Sequence, residues 1–92
     1  MKYNVEMTSS FKHDYKVVKK RGCDLKLLFK VVDILSKGET LPEKYKDHPL
    51  EGIWNDCREC HIRPDWLLIY RIDEGKLVLI LTATGSHSDL FS

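Results

Sequence analysis

Three of the four histidines, His48, His61 and His87, follow the helix-patterned half of the 92-residue chain, each at a segment boundary. Imidazole alone has an ordinary pKa, about 6.5, that lets it give and take protons near neutrality. His48 precedes Pro49, whose ring disfavours helical geometry at the residue before it and stiffens that backbone. His61 ends one strand-like run and Asp65 opens the next, with Pro64 between them; a tight reversal there would bring the two side chains together. His87 lies just beyond the last strand-like run. Three imidazoles and a carboxylate on one rim suit general acid–base chemistry. Two other readings stand beside it. Each histidine could be a surface or packing residue, or two or three with an Asp could hold zinc or iron. No H-x-x-x-H or comparable short spacing supports the metal.

Cys57-Arg58-Glu59-Cys60-His61 matches the C-x-x-C-H pattern of haem attachment. On a strand, residues three apart point to opposite faces, so the two thiols would not hold one porphyrin. A closed zinc site wants four ligands at matched spacings, which this run also lacks. The cysteines read as small apolar fillers. Tyr45, Trp54, Trp66 and Phe91 could stack on nucleic-acid bases, each contact being worth roughly 1–3 kcal/mol. Packing is the default for Trp54 and Trp66, which the pattern places on strands. Phe91, one residue from the chain end, resists full burial.

The elements that must position these groups follow from periodicity. Tyr3, Val5 and Met7 alternate with polar residues, as on a half-buried strand. Thr8-Ser9-Ser10 offers N-caps for a helix from about Ser9 to Arg21, with Gly22 as its left-handed stop. Asp24 caps a second helix, whose wide apolar stripe (Leu25, Leu28, Val32 and Leu35, flanked by Leu27, Phe29, Val31 and Ile34) predicts packing over much of its circumference. The stretch from Gly38 to Gly52 has neither period and is long against the usual connection of roughly 4–6 residues. Three strand-like runs follow, Ile53 to His61, Trp66 to Ile72 and Leu77 to Thr84, the last two apolar on both parities. Such strands are buried on both faces, so helices should cover one side and something else the other. Ser86 and Asp89 resemble a capping box for a terminal turn ending at Phe91-Ser92. The order β-α-α-β-β-β predicts a single α+β domain over residues 1–92, a helical hairpin on a small, mainly antiparallel four-stranded sheet.

A hydrophobic fraction of 42% argues against wholesale disorder. A formal charge of +1 argues against a protein that grips nucleic acid by net charge. That total conceals a split. Residues 1–37 carry nine basic and four acidic side chains, a balance of +5, and residues 38–92 carry six and ten, a balance of −4. No stretch reaches the roughly 18 apolar residues of a membrane-spanning helix. The amino end lacks the apolar core of an export signal, and three cysteines is an odd count for a disulfide framework. A cytoplasmic location is expected.

Three ordered segments together resemble one family. Tyr45-Lys46-Asp47-His48-Pro49-Leu50-x-Gly52, then Arg58-Glu59-Cys60-His61-Ile62-x-Pro64-Asp65-Trp66-Leu67-Leu68-Ile69-Tyr70, then Thr84-Gly85-Ser86-His87-Ser88-Asp89-Leu90-Phe91 resemble the YafQ-type branch of the RelE/ParE toxin superfamily. The resemblance implies the toxin of a type II toxin–antitoxin pair, a messenger-RNA interferase cutting in the ribosomal decoding site. It carries catalytic positions onto His48, His61, Asp65 and His87, with Phe91, Trp66, Lys46 and Arg58 on the substrate. A 2′-hydroxyl would attack the adjacent phosphate, with His87 as acid, His48 as base and no metal or other cofactor required. The implied partners are the ribosome with its messenger and an antitoxin, the last expected from an adjacent reading frame; no membrane is implied. Lys12, Lys16, Lys19, Lys20 and Arg21 on the first helix, with Lys26 and Lys30 on the second, would meet ribosomal RNA or an acidic antitoxin segment. A ParE-like relative that inhibits a protein target such as gyrase without catalysis is the alternative, and a non-catalytic binding module of the same fold is a third. Charge reversal at Lys19 and Lys20 should weaken ribosome binding, the loss changing with salt as phosphate contacts do; unchanged affinity in a pelleting assay would remove that role.

Overall fold

Thr8 decides where the first strand stops and the first helix starts. Its hydroxyl accepts from the Phe11 amide at 3.0 Å and donates to the Thr82 carbonyl at 2.8 Å, so one side chain caps a helix and ties it to the sheet. The computed structural model describes residues 1–91. Strand β1 spans Asn4–Met7, helix α1 Ser9–Lys20 and helix α2 Leu25–Ser36. Gly22, at φ +81°, supplies the left-handed turn that stops α1. The side chain of Asp24 then accepts from the Lys26 amide to begin α2. Strands β2 (His48–Pro49), β3 (Arg58–Arg63), β4 (Trp66–Asp73) and β5 (Val78–Gly85) follow, and helix α3 spans His87–Phe91. Ser92, named above as the end of the terminal turn, lies outside the described residues.

The sheet has five strands in the order β1-β5-β4-β3-β2, with β1 parallel to β5 and every other pair antiparallel. The α+β class holds. The fifth strand is β2, which the Gly38–Gly52 stretch hid because two residues carry no period. The first strand-like run is also shorter than its pattern suggested. Gly52–Trp54 is a 3₁₀ turn, Ile53 is 92% exposed, and pairing starts only at Arg58. Trp54 therefore sits on a turn rather than a strand.

Helical side chains cover one face of the sheet. Phe11, Val18, Leu28, Val31 and Leu35 join Cys60, Leu68, Tyr70, Leu79 and Leu81 in the main core. The other face carries a smaller cluster, Cys57, Ile69 and Ala83, closed by Leu50, Trp54 and Leu90. This second cover is why β4 and β5 are apolar on both parities. The wide stripe of α2 does pack, Leu25, Leu27, Leu28, Val31, Val32, Ile34 and Leu35 all meeting the main core and Phe29 alone of that stripe standing exposed. One expectation fails beside it: Val5 and Met7 are exposed despite their strand parity. Together with Tyr15 and Val32 they line a groove of about 620 Å³, bordered by Lys12, Lys16 and Lys19. No helix among the described residues is long and apolar enough to cross a membrane.

Trp66 and Thr84 lock β4 to β5. The buried indole N–H donates to Thr84 Oγ1 at 3.0 Å, and that hydroxyl donates to the Leu67 carbonyl at 2.7 Å. Thr84→Val keeps the shape and strands both partners, at a cost of about 1–3 kcal/mol. A urea midpoint lowered to match, at unchanged slope, is the expected result; an unchanged midpoint would show that the network adds nothing.

Candidate active site

Strand register assembles the site. His48 on β2 pairs directly with Glu59 on β3, so the two side chains share a face. Glu59 and His61, two apart on β3, share that face as well. His61 pairs with Leu67, and Leu67 with Gly85, which places the end of β5 and the start of α3 beside His61. The three imidazoles consequently stand in a row. Ring centres are 6.3 Å apart for His48 and His61, and 5.6 Å apart for His61 and His87, the latter pair edge to face.

Carboxylates hold the row at two points. Asp65 Oδ1 accepts from the His87 ring Nδ1 at 2.6 Å and from the His87 amide at 2.9 Å. These bonds, the backbone one foremost, draw the Asp65 carboxyl below its ordinary pKa, so it stays ionised. The expected approach of His61 to Asp65 does not occur, because the reversal at Pro64 points Asp65 toward α3. His61 Nε2 instead lies 3.2 Å from Glu59 Oε1, and His48 Nε2 lies 3.6 Å from the same oxygen. Glu59 is only 4% exposed. Sequence reasoning missed it, although the Glu-x-His spacing on a strand was the available signal.

The loop before β2 is fastened from below. Asp47 accepts from Tyr70 Oη at 2.5 Å and from Arg58 Nε and Nη2 at 3.3 and 3.2 Å. Burial, followed by this bond to Asp47, pushes the Tyr70 phenol up, so it remains a donor. Lys46 takes a left-handed backbone, φ +50°, and its carbonyl accepts from His48 Nδ1 at 2.7 Å. With Nδ1 so occupied, His48 turns Nε2 toward Glu59. Arg58 thus braces the loop that carries Lys46 and His48.

The remaining expected residues divide. Lys46 lines a cavity of about 400 Å³ with His61, Arg63 and Lys44, the last two not anticipated. Phe91 is 45% exposed on α3, one helical turn from His87 and so on the same side. Trp66 is a correction: at 6% exposure with its N–H bonded to Thr84, it packs the sheet and offers no stacking face. Tyr45 is buried too. Lys12, Lys16, Lys19 and Lys20 are exposed along α1, whereas Arg21 is drawn into an ion pair with Asp89. Cys57 and Cys60 lie on opposite sheet faces, in separate clusters. Burial raises both thiols, Cys60 to about 12, which keeps them protonated and poor metal ligands. A group that could hold a metal does exist: ligand atoms of Glu59, His61 and His87 lie within 4.8 Å of one another. Imidazole and carboxylate donors of this kind suit zinc or copper.

Comparison with known proteins agrees with this fold. Residues 3–92 match the family model for YafQ, a bacterial toxin of type II toxin–antitoxin systems. The chain belongs to the YafQ toxin family. The mRNA interferase toxin YafQ of Escherichia coli K12 is 36% identical over 89 residues, covering 96% of this chain and 95% of that protein. A metal-bound toxin from Helicobacter pylori superimposes with a TM-score of 0.91 at 48% identity, over 97% of this chain and 99% of that one. YafQ in the E. coli DinJ–YafQ complex gives 0.88 at 35% identity, over 98% and 99%.

The Asp65 pairing has a sign that can be checked. A carboxyl depressed in the native state adds stability that is complete above its unfolded pKa, about 3.9. That stability is lost as pH falls through the lower native value. Asp65→Asn should therefore flatten the melting-temperature profile below about pH 4, and an unaltered acid limb would mean that the pair does not form in solution.

Proposed function

We propose that this toxin is a messenger-RNA endoribonuclease working in the ribosomal decoding site by attack of a ribose 2′-hydroxyl on the adjacent 3′-phosphate. The observation that carries this reading is the row of three imidazoles with carboxylates already placed against them. His48, with Nδ1 engaged by the Lys46 carbonyl, takes the 2′-proton on Nε2, the atom that rests 3.6 Å from Glu59. His87 protonates the departing 5′-oxygen, and Asp65 on Nδ1 stabilises the imidazolium that must precede this step. Glu59, 3.2 Å from Nε2, orients His61 toward the phosphate. The products are a 2′,3′-cyclic phosphate and a 5′-hydroxyl. Lys44, Lys46 and Arg63 line the cavity beside His61, where cations suit the RNA backbone. Phe91 offers a ring to a neighbouring base.

The antitoxin partner belongs to the same reading, since the related YafQ is seen with DinJ. The groove between β1, α1 and α2 has an apolar floor and a lysine rim, which suits an acidic segment with apolar side chains. On this reading the protein acts in the cytoplasm, where the ribosomes are.

A second reading of the site concerns metal. Glu59, His61 and His87 cluster closely enough to share an ion, and the H. pylori relative is described as metal-bound. An ion there would take the ring lone pairs that proton transfer needs. On the acid–base reading, cleavage persists in EDTA and is silenced by stoichiometric copper.

Purified protein added to a translation reaction should give messenger 5′ ends in phase with codons. His87→Ala should lower that cleavage by about 10²–10⁴. Cleavage within threefold of wild type would remove the acid role. Translational arrest with no cuts would favour the ParE-like mode, and loss of cleavage in EDTA would make the metal a participant.

A further inference from the structure

Helix α3 brings His87 and Phe91 to the site, yet it spans only His87–Phe91, far too short to persist alone. Its geometry therefore depends on what holds it. Ser86 and Asp89 form a reciprocal capping box: the Ser86 amide donates to Asp89 Oδ2 at 2.8 Å, and the Asp89 amide donates to Ser86 Oγ at 3.1 Å. The same carboxylate receives a two-pronged fork from Arg21, Nη1 to Oδ2 at 2.5 Å and Nη2 to Oδ1 at 3.1 Å. Gly85 leaves room for it, because a Cβ there would lie 2.8 Å from Asp89 Oδ2. The backbone of Arg21 is itself fixed at the C-cap of α1, where its amide donates to the Val17 carbonyl at 3.0 Å.

We propose that Arg21 is a positioning residue for the nuclease reaction: through Asp89 it clamps α3 to the end of α1 and so sets His87 and Phe91 against the substrate. The proposal rests on the acid role given to His87. The chemistry of the clamp decides what it is for. Its side chains are 51% and 31% exposed, and ion pairs in that setting add little to stability. A bidentate guanidinium–carboxylate contact, however, fixes orientation in a way a lysine point charge does not. Catalytic proton transfer is sensitive to misplacements of about 1 Å, and to the Asp65 bonds on His87 and the packing of Leu90 the clamp adds the tie that links α3 to α1. Arg21 also adjoins the lysine-bearing face of α1, so the clamp ties the acid to the surface assigned to the ribosome or the antitoxin.

The test uses the full chain with Arg21→Ala, Arg21→Lys and Asp89→Asn. Asparagine keeps an acceptor for the Ser86 amide and removes the charge. Single-turnover cleavage on programmed ribosomes should fall about tenfold in Arg21→Ala, with affinity for a 2′-O-methylated, uncleavable messenger within about twofold. Melting temperature should stay within about 2 °C. Arg21→Lys should recover only part of the rate, and Arg21→Ala with Asp89→Asn should be no worse than either alone. Independently of activity, NMR of the free protein should show faster exchange of the His87 amide and of its ring proton shared with Asp65, with the amides of α2 unmoved. Wild-type cleavage together with wild-type His87 exchange in Arg21→Ala would overturn the proposal, and so would a melting temperature lowered by 8 °C or more, roughly the loss expected of a structural brace. If the wild-type protein cuts no messenger, the nuclease reading fails, while the exchange measurement still judges the clamp.

Discussion

Register between neighbouring strands is the constraint on which the site depends. His48 faces Glu59 across β2 and β3, and the line His61, Leu67, Gly85 crosses β3, β4 and β5. A slip of one residue at any of these pairings would turn the imidazoles to the opposite face, because side chains alternate along a strand. What holds the register is packing on both faces of β4 and β5, together with the Trp66–Thr84 bond between them. The geometry of the candidate site is in this sense a by-product of a doubly covered sheet.

Electrostatics then specialise three similar rings. His87 has an exposed, ionised carboxylate on Nδ1, His61 a buried one on Nε2, and His48 a backbone carbonyl on Nδ1. The three rings thus meet three different partners, and the proposed acid and base assignments rest on that asymmetry. The +5 and −4 halves of the chain divide along the same lines. Free lysines line α1, while the acidic half spends Asp47, Glu59, Asp65 and Asp89 on positioning. A whole-chain charge of +1 describes neither surface.

Much of this was legible in the residues, and the failures are instructive. Thr8, Gly22, Asp24 and the Ser86–Asp89 box announced helix ends through local hydrogen-bonding chemistry, and the helices begin and stop there. His48, His61, Asp65 and His87 were found as candidates from residue type and boundary position. Glu59 is hidden inside the C-x-x-C-H run, since nothing local says that His48 will pair opposite it. The partner of Asp65 is hidden for the same reason: the choice between His61 and His87 is made by the direction of α3. Packing is the default that strand placement gives Trp66, and its burial upholds that default against the substrate role the resemblance implies. β1 misled in the other direction. Its alternation is that of a half-buried strand, but Val5 and Met7 face an open groove at the sheet edge rather than the core.

The account turns on the 2′-hydroxyl being the nucleophile. The most direct measurement places a single 2′-deoxynucleotide at the cut position of a messenger on programmed ribosomes, beside an all-ribose control, and identifies the product ends. Cleavage of the control to a 2′,3′-cyclic phosphate and a 5′-hydroxyl, with the deoxy position left intact, is the predicted result. Cutting at the deoxy position, or 5′-phosphate ends from either messenger, would mean that water is the nucleophile and would contradict it.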